Sequence, residues 1–300
     1  GGCGNGEEMA GNGVLSQGRR LDAFAIIRFR PGMLSGIIAQ MCGLTGPGGV
    51  SASGCTAGSY SVVEGAEAIK SGRIQFALCG GSEAPIARLS VAGFCGAGVL
   101  SNESRPFHKN RSGLVLSEGA GVLMLQDASS VSSTVPTLAR LAGYGNVISL
   151  PRGESITDLC PQSVAQVARQ ALTMAGIQAD DVGCVYTHST GTQQGDLAEL
   201  QGIQEVWKNA RNKIHVCALK SYFGHHFGAS GPLALTIAIE SLRNGMIYPN
   251  QGITEESIDP NCKIDGITFP FSPVDKAMEY VMVNSFGFGG NYCCFILRKA

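Results

Sequence analysis

From residue 48 onward, short runs of β-branched and small apolar residues alternate with longer stretches in which apolar positions recur every three or four residues. "GGVSAS" (48–53) and "IQFALCGG" (74–81) have strand character. Between them "SYSVVEGAEAIKSG" (59–72) sets Val62, Val63, Ala66 and Ile69 on one helical face, so the three segments predict a βαβ unit. "LVLSEGAGVLMLQD" (114–127) predicts a buried hairpin, its two glycines marking a turn or a bulge. After "DASSVSSTVP" (127–136) the alternation resumes. Strands are expected at "TLARLAGYG" (137–145), "VGCVYTHST" (182–190) and "KIHVCALK" (213–220), and helices over 161–176, 196–208 and 230–245. "YVMVNSFGFGGNYCCFIL" (280–297) predicts two closing strands about a glycine turn. The economical architecture is two successive α/β halves, residues 1–134 and 135–300.

Composition narrows the classes. A chain of 300 residues, 44% hydrophobic and 15% charged, can bury a large core, and a net charge of −1 offers no electrostatic case for nucleic acid or an anionic membrane. The longest apolar runs, 120–125 and 231–239, are too short to span a bilayer, which with the absence of a signal peptide predicts a cytoplasmic protein. The 42 glycines cluster in "GPGG", "CGG", "FCGAG" and "FGFGG", which predicts tight turns and close backbone approach. Eleven cysteines carry no CxxC spacing, so neither a metal site nor a redox motif is expected. "GGCGNG" and "GNGVLS" fail the dinucleotide fingerprint, and there is no phosphate-binding P-loop motif.

Among these cysteines Cys55 stands apart. Most thiols in a fold of this kind act as small buried hydrophobes. Cys55, however, lies where a strand gives way to a helix, and the free N–H groups and dipole of a helix start favour a thiolate. A thiolate there acts as a covalent nucleophile if imidazoles and oxyanion donors converge on it. Of five histidines, His188 follows an apolar strand in "THSTGT", and His225 and His226 sit in "LKSYFGHHFGASG". His226 is expected to play a supporting or structural part, while His108 and His215 read as ordinary surface or strand residues.

"GCTAGS", "HSTGT", "LKSYFGHHFGASG" and "NSFGFGGN", in that order, resemble the β-ketoacyl synthase family of condensing enzymes with its thiolase-like fold, and "RPFHKNRSGLVLSEGAGVLML" extends the likeness. The resemblance implies decarboxylative condensation of an acyl group with a malonyl unit on acyl carrier protein, in fatty acid or, preferentially, type II polyketide synthesis. It implies that Cys55 accepts the acyl group and that His188 and His225 serve decarboxylation. Lys220 matches the lysine five residues before the second histidine, although a lysine at a strand end is otherwise a solvated charge. The backbone N–H groups of Cys55 and Phe288 would form the oxyanion hole, and Thr190 and Thr192 would hold the phosphopantetheine arm. That arm arrives on the carrier protein, and no cofactor resident on this chain is implied. The family also pairs the strand before the nucleophile across a two-fold axis, so "GGVSAS" is expected at a homodimer or heterodimer interface.

Departures from the family pattern point to a specialised synthase. Ala234 stands where a glutamate often pairs with the lysine, Ser189 where glycine is usual, and Ser112 where aspartate is common. "GGCGNGEE" resembles the end of a strand already inside the fold, so the family's opening elements are absent from this numbering, and "FILRKA" follows the last strand as in a discrete subunit. His225 in the third catalytic position argues against the Cys-His-Asn initiating synthases. "FGFGG" replaces the second catalytic motif of thiolases. An acyltransferase without decarboxylation and a non-catalytic partner subunit stay open as alternatives.

Overall fold

The computed structural model describes residues 13–18, 20, 24, 30, 32–131, 135–149 and 155–300; the "GGCGNGEE" segment lies outside them. In chain order the elements are α1 (Gly32–Cys42), α2 (Ala57–Lys70), β1 (Phe76–Glu83), α3 (Arg88–Gly96), β2 (Gly119–Gln126), β3 (Ala139–Ile148), α4 (Pro161–Ala175), β4 (Val182–Tyr186), α5 (Gln193–Trp207), β5 (Ile214–Cys217), α6 (Lys220–Phe223), α7 (Ser230–Asn244), β6 (Met246–Ile247), β7 (Ile267–Thr268), β8 (Val274–Asp275), β9 (Tyr280–Gly287) and β10 (Asn291–Lys299).

A six-stranded sheet, ordered β3-β10-β9-β4-β5-β7, forms the centre. Its β3, β10 and β9 run antiparallel, and its β9, β4, β5 and β7 are parallel. Strand periodicity divides side chains between two cores. Met282, Cys294 and Ile296 pack with α4 and α5 through Val164, Val167, Leu200, Ile203 and Trp207. Val281, Val283, Cys293 and Phe295 face the other way, onto Val62 and Val63 of α2 and Leu235, Ala238 and Leu242 of α7. The adjacent Cys293 and Cys294 therefore fill opposite cores. Beyond α2 and α7 lies the antiparallel pair β1-β2, so these two helices are layered between the sheets. Local signals end the helices as the chain requires: Pro161 opens α4, and Gly176 and Gly245 close α4 and α7 in the left-handed conformation.

Three expectations need correction. Residues 48–53 are not a strand, because none of the described strands pairs with them, and an extended segment without a ladder partner is not held as sheet. The βαβ unit is therefore not formed, and β1 takes β2 as its antiparallel neighbour. Residues 114–127 are not a hairpin: only 119–126 form a strand, while Leu114 and Leu116 make single bridges to Leu100 and His225. This upstream half is drawn away to hold the loop that carries His225.

Candidate active site

Cys55 sits in a 3-10 turn, Gly54–Thr56, that runs directly into α2, and its side chain is buried. The turn is fixed by Thr56, whose hydroxyl donates to Ser53 O at 2.9 Å. Across the layer from it, the segment after α6 turns at Gly224, whose φ is +74°, and presents His225. The backbone of His225 is clamped from both sides: its N–H donates to Val115 O at 2.8 Å, and its carbonyl accepts from Ser117 N at 3.0 Å. The result places His225 Nε2 3.2 Å from Cys55 Sγ. His188, delivered by the loop after β4, lies edge-on to His225 with ring centroids 5.3 Å apart.

How closely the two loops approach depends on three glycines. A Cβ at Gly58 or at Gly81 would fall inside the contact distance of Gly228 O, and Gly81 also crowds the Gly58 backbone. The start of α2, the strand β1 and the turn after His225 thus touch backbone to backbone. The other wall around Cys55 is apolar, built from Phe94, Val99, Leu100, Leu114, Leu116 and Phe227. Phe227 stacks on the His225 ring at 4.5 Å and holds a φ of +44°, a left-handed conformation that a bulky residue adopts only when its surroundings enforce it.

Burial pushes both imidazoles well below the ordinary histidine value, with the Lys220 charge second in each case. Both are neutral near pH 7 and can act as N–H donors. Lys220 is not at a strand end: it opens the helical turn α6 and is buried. Its Nζ donates to His188 O at 2.5 Å and reaches His188 Nδ1 at 3.5 Å. Burial lowers its pKa to about 8, against an opposing pull first from Glu199 and then from Cys55 and Asp196. Glu199 is therefore the carboxylate that acts most on Lys220, from a different element than the one that carries Ala234. Burial raises the Glu199 pKa, and four donors oppose that rise: Asn284 Nδ2, His188 N, Ser189 N and Ser189 Oγ, each at 2.8–2.9 Å. Ser189, the departure from glycine, uses its hydroxyl to hold this carboxylate.

A cavity of about 430 Å³ joins these groups. Cys55, His188, His225, Thr190, Thr192 and Phe288 all line it, so the structure brings together every predicted residue except Lys220, which stands behind His188. Thr190 Oγ1 and Thr192 Oγ1 lie 3.3 Å apart on its wall, and the Phe288 ring is exposed at its edge. Ser112, also on the wall, donates to Ser101 Oγ at 3.0 Å. His226 is buried, its N–H bound to Ser230 Oγ. His108 is buried too, contrary to expectation: its backbone bridges to Ile258, and Asn110 N donates to its Nδ1 at 2.9 Å.

Sequence reasoning missed Glu199, Asp196, Asn284 and Ser230. A signal existed for the first two. Asp196, Glu199, Leu200, Ile203 and Trp207 share one face of α5, and acids on the apolar face of a helix are there to bind donors. Asp196 does so, accepting from Phe107 N at 2.9 Å and Gly191 N at 3.0 Å.

Residues 1–130 match the family description "Beta-ketoacyl synthase, N-terminal domain", and residues 138–254 match "Beta-ketoacyl synthase, C-terminal domain". The chain belongs to the β-ketoacyl synthase family. It is thereby placed among acyltransferase enzymes. It is 29% identical to 3-oxoacyl-[acyl-carrier-protein] synthase 2 of Staphylococcus aureus over 97% of this chain and 71% of that protein. The protein of the same name from Synechocystis is also 29% identical, over 93% and 68% of the two chains. Among solved structures, the ishigamide ketosynthase/chain length factor superposes with a TM-score of 0.89 at 28% identity, covering 99% of this chain and 72% of that one. A β-ketoacyl synthase from Burkholderia phymatum gives a TM-score of 0.88 at 27% identity, over 98% and 72%. A type II PKS acyl-carrier protein in complex with its ketosynthase gives 0.84 at 25%, over 96% and 72%. The thiolase-like fold expected from the four motifs is thus the fold of this ketosynthase.

Proposed function

We propose that this ketosynthase condenses an acyl group carried on Cys55 with a malonyl unit delivered by acyl carrier protein, with loss of CO2, and that it works in type II polyketide synthesis. The observation that carries the reading is the convergence of two neutral imidazoles on one buried cysteine, with Sγ 3.2 Å from His225 Nε2. The Cys55 thiolate attacks the thioester carbonyl of the incoming acyl carrier, and the oxyanion is held by the N–H groups of Cys55 and Phe288. Collapse expels the phosphopantetheine thiol and leaves an acyl thioester on Cys55. The malonyl carrier then enters with its arm along Thr190 and Thr192. Its C–C bond breaks, CO2 departs, and the electron pair moves into an enolate whose oxygen accepts from the N–H groups of His188 and His225. The enolate carbon attacks the acyl carbonyl, and release of the Cys55 thiolate frees the β-ketoacyl carrier.

The polyketide assignment is supported by the printed subjects of two structural neighbours, a ketosynthase/chain length factor and a type II PKS complex, and by Ala234 and Ser189. Intact-mass measurement with acyl and malonyl carriers tests both parts. Cys55→Ala should abolish acyl loading with the fold retained, since it removes one sulfur from a turn of small residues. His188→Ala and His225→Ala should each cut CO2 release on the order of a hundred- to thousandfold while loading survives in part, because loading draws on the thiolate and the oxyanion donors. Equal losses in both steps would favour acyl transfer without decarboxylation. Products extended by several unreduced two-carbon units are expected for the polyketide reading, and a single extension would contradict it.

A further inference from the structure

We infer that Ser230 is a positioning residue of this site: its hydroxyl donates to His225 Nδ1, fixes that imidazole as the Nε2–H tautomer, and so aims a hydrogen, in place of a lone pair, at Cys55 Sγ. The argument is one of hydrogen-bond capacity. A serine hydroxyl has one hydrogen and two lone pairs. The backbone N–H of His226, which can only donate, takes one lone pair of Ser230 Oγ at 3.0 Å. His225 Nδ1 lies 2.9 Å from the same oxygen. Were Nδ1 protonated, Ser230 Oγ would accept twice, and its own hydrogen would point into a buried site with neither of these two partners able to receive it, which costs a desolvated donor. With the hydrogen given to Nδ1, each of the three groups is satisfied. The geometry is rigid, since Ser230 is the first residue of α7 and His225 is clamped by the backbone of Val115 and Ser117.

His188 is served in the same sense by a different group, for Lys220 Nζ stands at its Nδ1. Both imidazoles thus have a donor behind them and an Nε2–H toward the cavity, one from an ammonium and one from a hydroxyl. The consequence for His225 is that Nε2 supports a thiolate, and later an enolate oxygen, and does not serve as the base for Cys55.

The catalytic meaning rests on the condensing role proposed above, whereas the tautomer and the thiol reactivity are read on the unliganded chain without any malonyl substrate. The test is long-range proton–nitrogen correlation NMR of the full chain with nitrogen-labelled histidine, His225 assigned by its loss in His225→Gln. The unmodified protein should show a protonated Nε2 and a bare Nδ1. Ser230→Ala, which deletes a single oxygen, should populate the Nδ1–H form. In the same variant, alkylation of Cys55 by iodoacetamide at neutral pH should slow about fivefold, the worth of one ordinary hydrogen bond. A protonated Nδ1 in the unmodified protein, or an unchanged tautomer in Ser230→Ala, would overturn the inference.

Discussion

Lys220 is a cation of the site whose ionisation burial brings toward neutral pH. Burial brings its pKa from 10.5 to about 8, so above that value the ammonium behind His188 becomes an amine. Decarboxylation should therefore decline through a basic limb centred near pH 8, while acyl loading, which does not use His188 as a donor, should show no decline there. In Lys220→Met the limb should be gone and the rate low throughout; a limb that persists would assign it to another group. For stability the sign is opposite. The unfolded lysine holds its proton to about 10.5 and the folded one only to about 8, so this group makes the protein more stable as pH rises between those values. The two histidines act at the other end. Their folded pKa values lie well below the ordinary 6.5, so unfolding takes up protons below that pH and stability falls with acidification. The urea midpoint should drop between pH 7 and pH 5, and His225→Gln should show a shallower drop than the unmodified chain.

At the level of elements, the meeting of α2, β1 and the turn before α7 sets the distance between nucleophile and imidazole. Gly81→Ala forces Gly228 O aside and should cost about 1–3 kcal/mol in the denaturant midpoint, together with a loss of acyl loading. Gly228→Ala is the control, since its Cβ would meet nothing nearer than 3.5 Å and should leave both quantities close to unmodified. The helices and closing strands of the second half were legible in the sequence because their periods are clean and their ends carry Pro161, Gly176 and Gly245. The residues that line the cavity were legible too, because Cys55, His188 and His225 lie in "GCTAGS", "HSTGT" and "LKSYFGHHFGASG", the motifs that resemble the β-ketoacyl synthase family. Residues 48–53 and 114–127 were not, since strand character says nothing about whether a partner strand is present to complete the ladder. Ser230 was invisible for a related reason: one hydroxyl among small residues acquires meaning only from the ring nitrogen that folding brings to it.

On the scale of the whole molecule, the first half exposes apolar surface. No residue of α1 is buried, and Val122 and Met124 of β2 are 56% and 58% exposed. Residues 48–53 join none of the described strands, and we expect a second ketosynthase chain to cover them, so light scattering at micromolar concentration should return twice the mass of one chain; a monomer would contradict it. Cys55 stands at the start of α2, while His188, His225 and Phe288 sit beside β4, α7 and β9, and these four elements share one core, so the reactive distance is set by how they pack. Chemistry is consequently a gauge of their alignment, finer than any spectroscopic average over the backbone. A slip of an ångström between these elements should silence the enzyme while every helix and strand is intact. Heat inactivation should therefore run several degrees ahead of the loss of far-ultraviolet ellipticity.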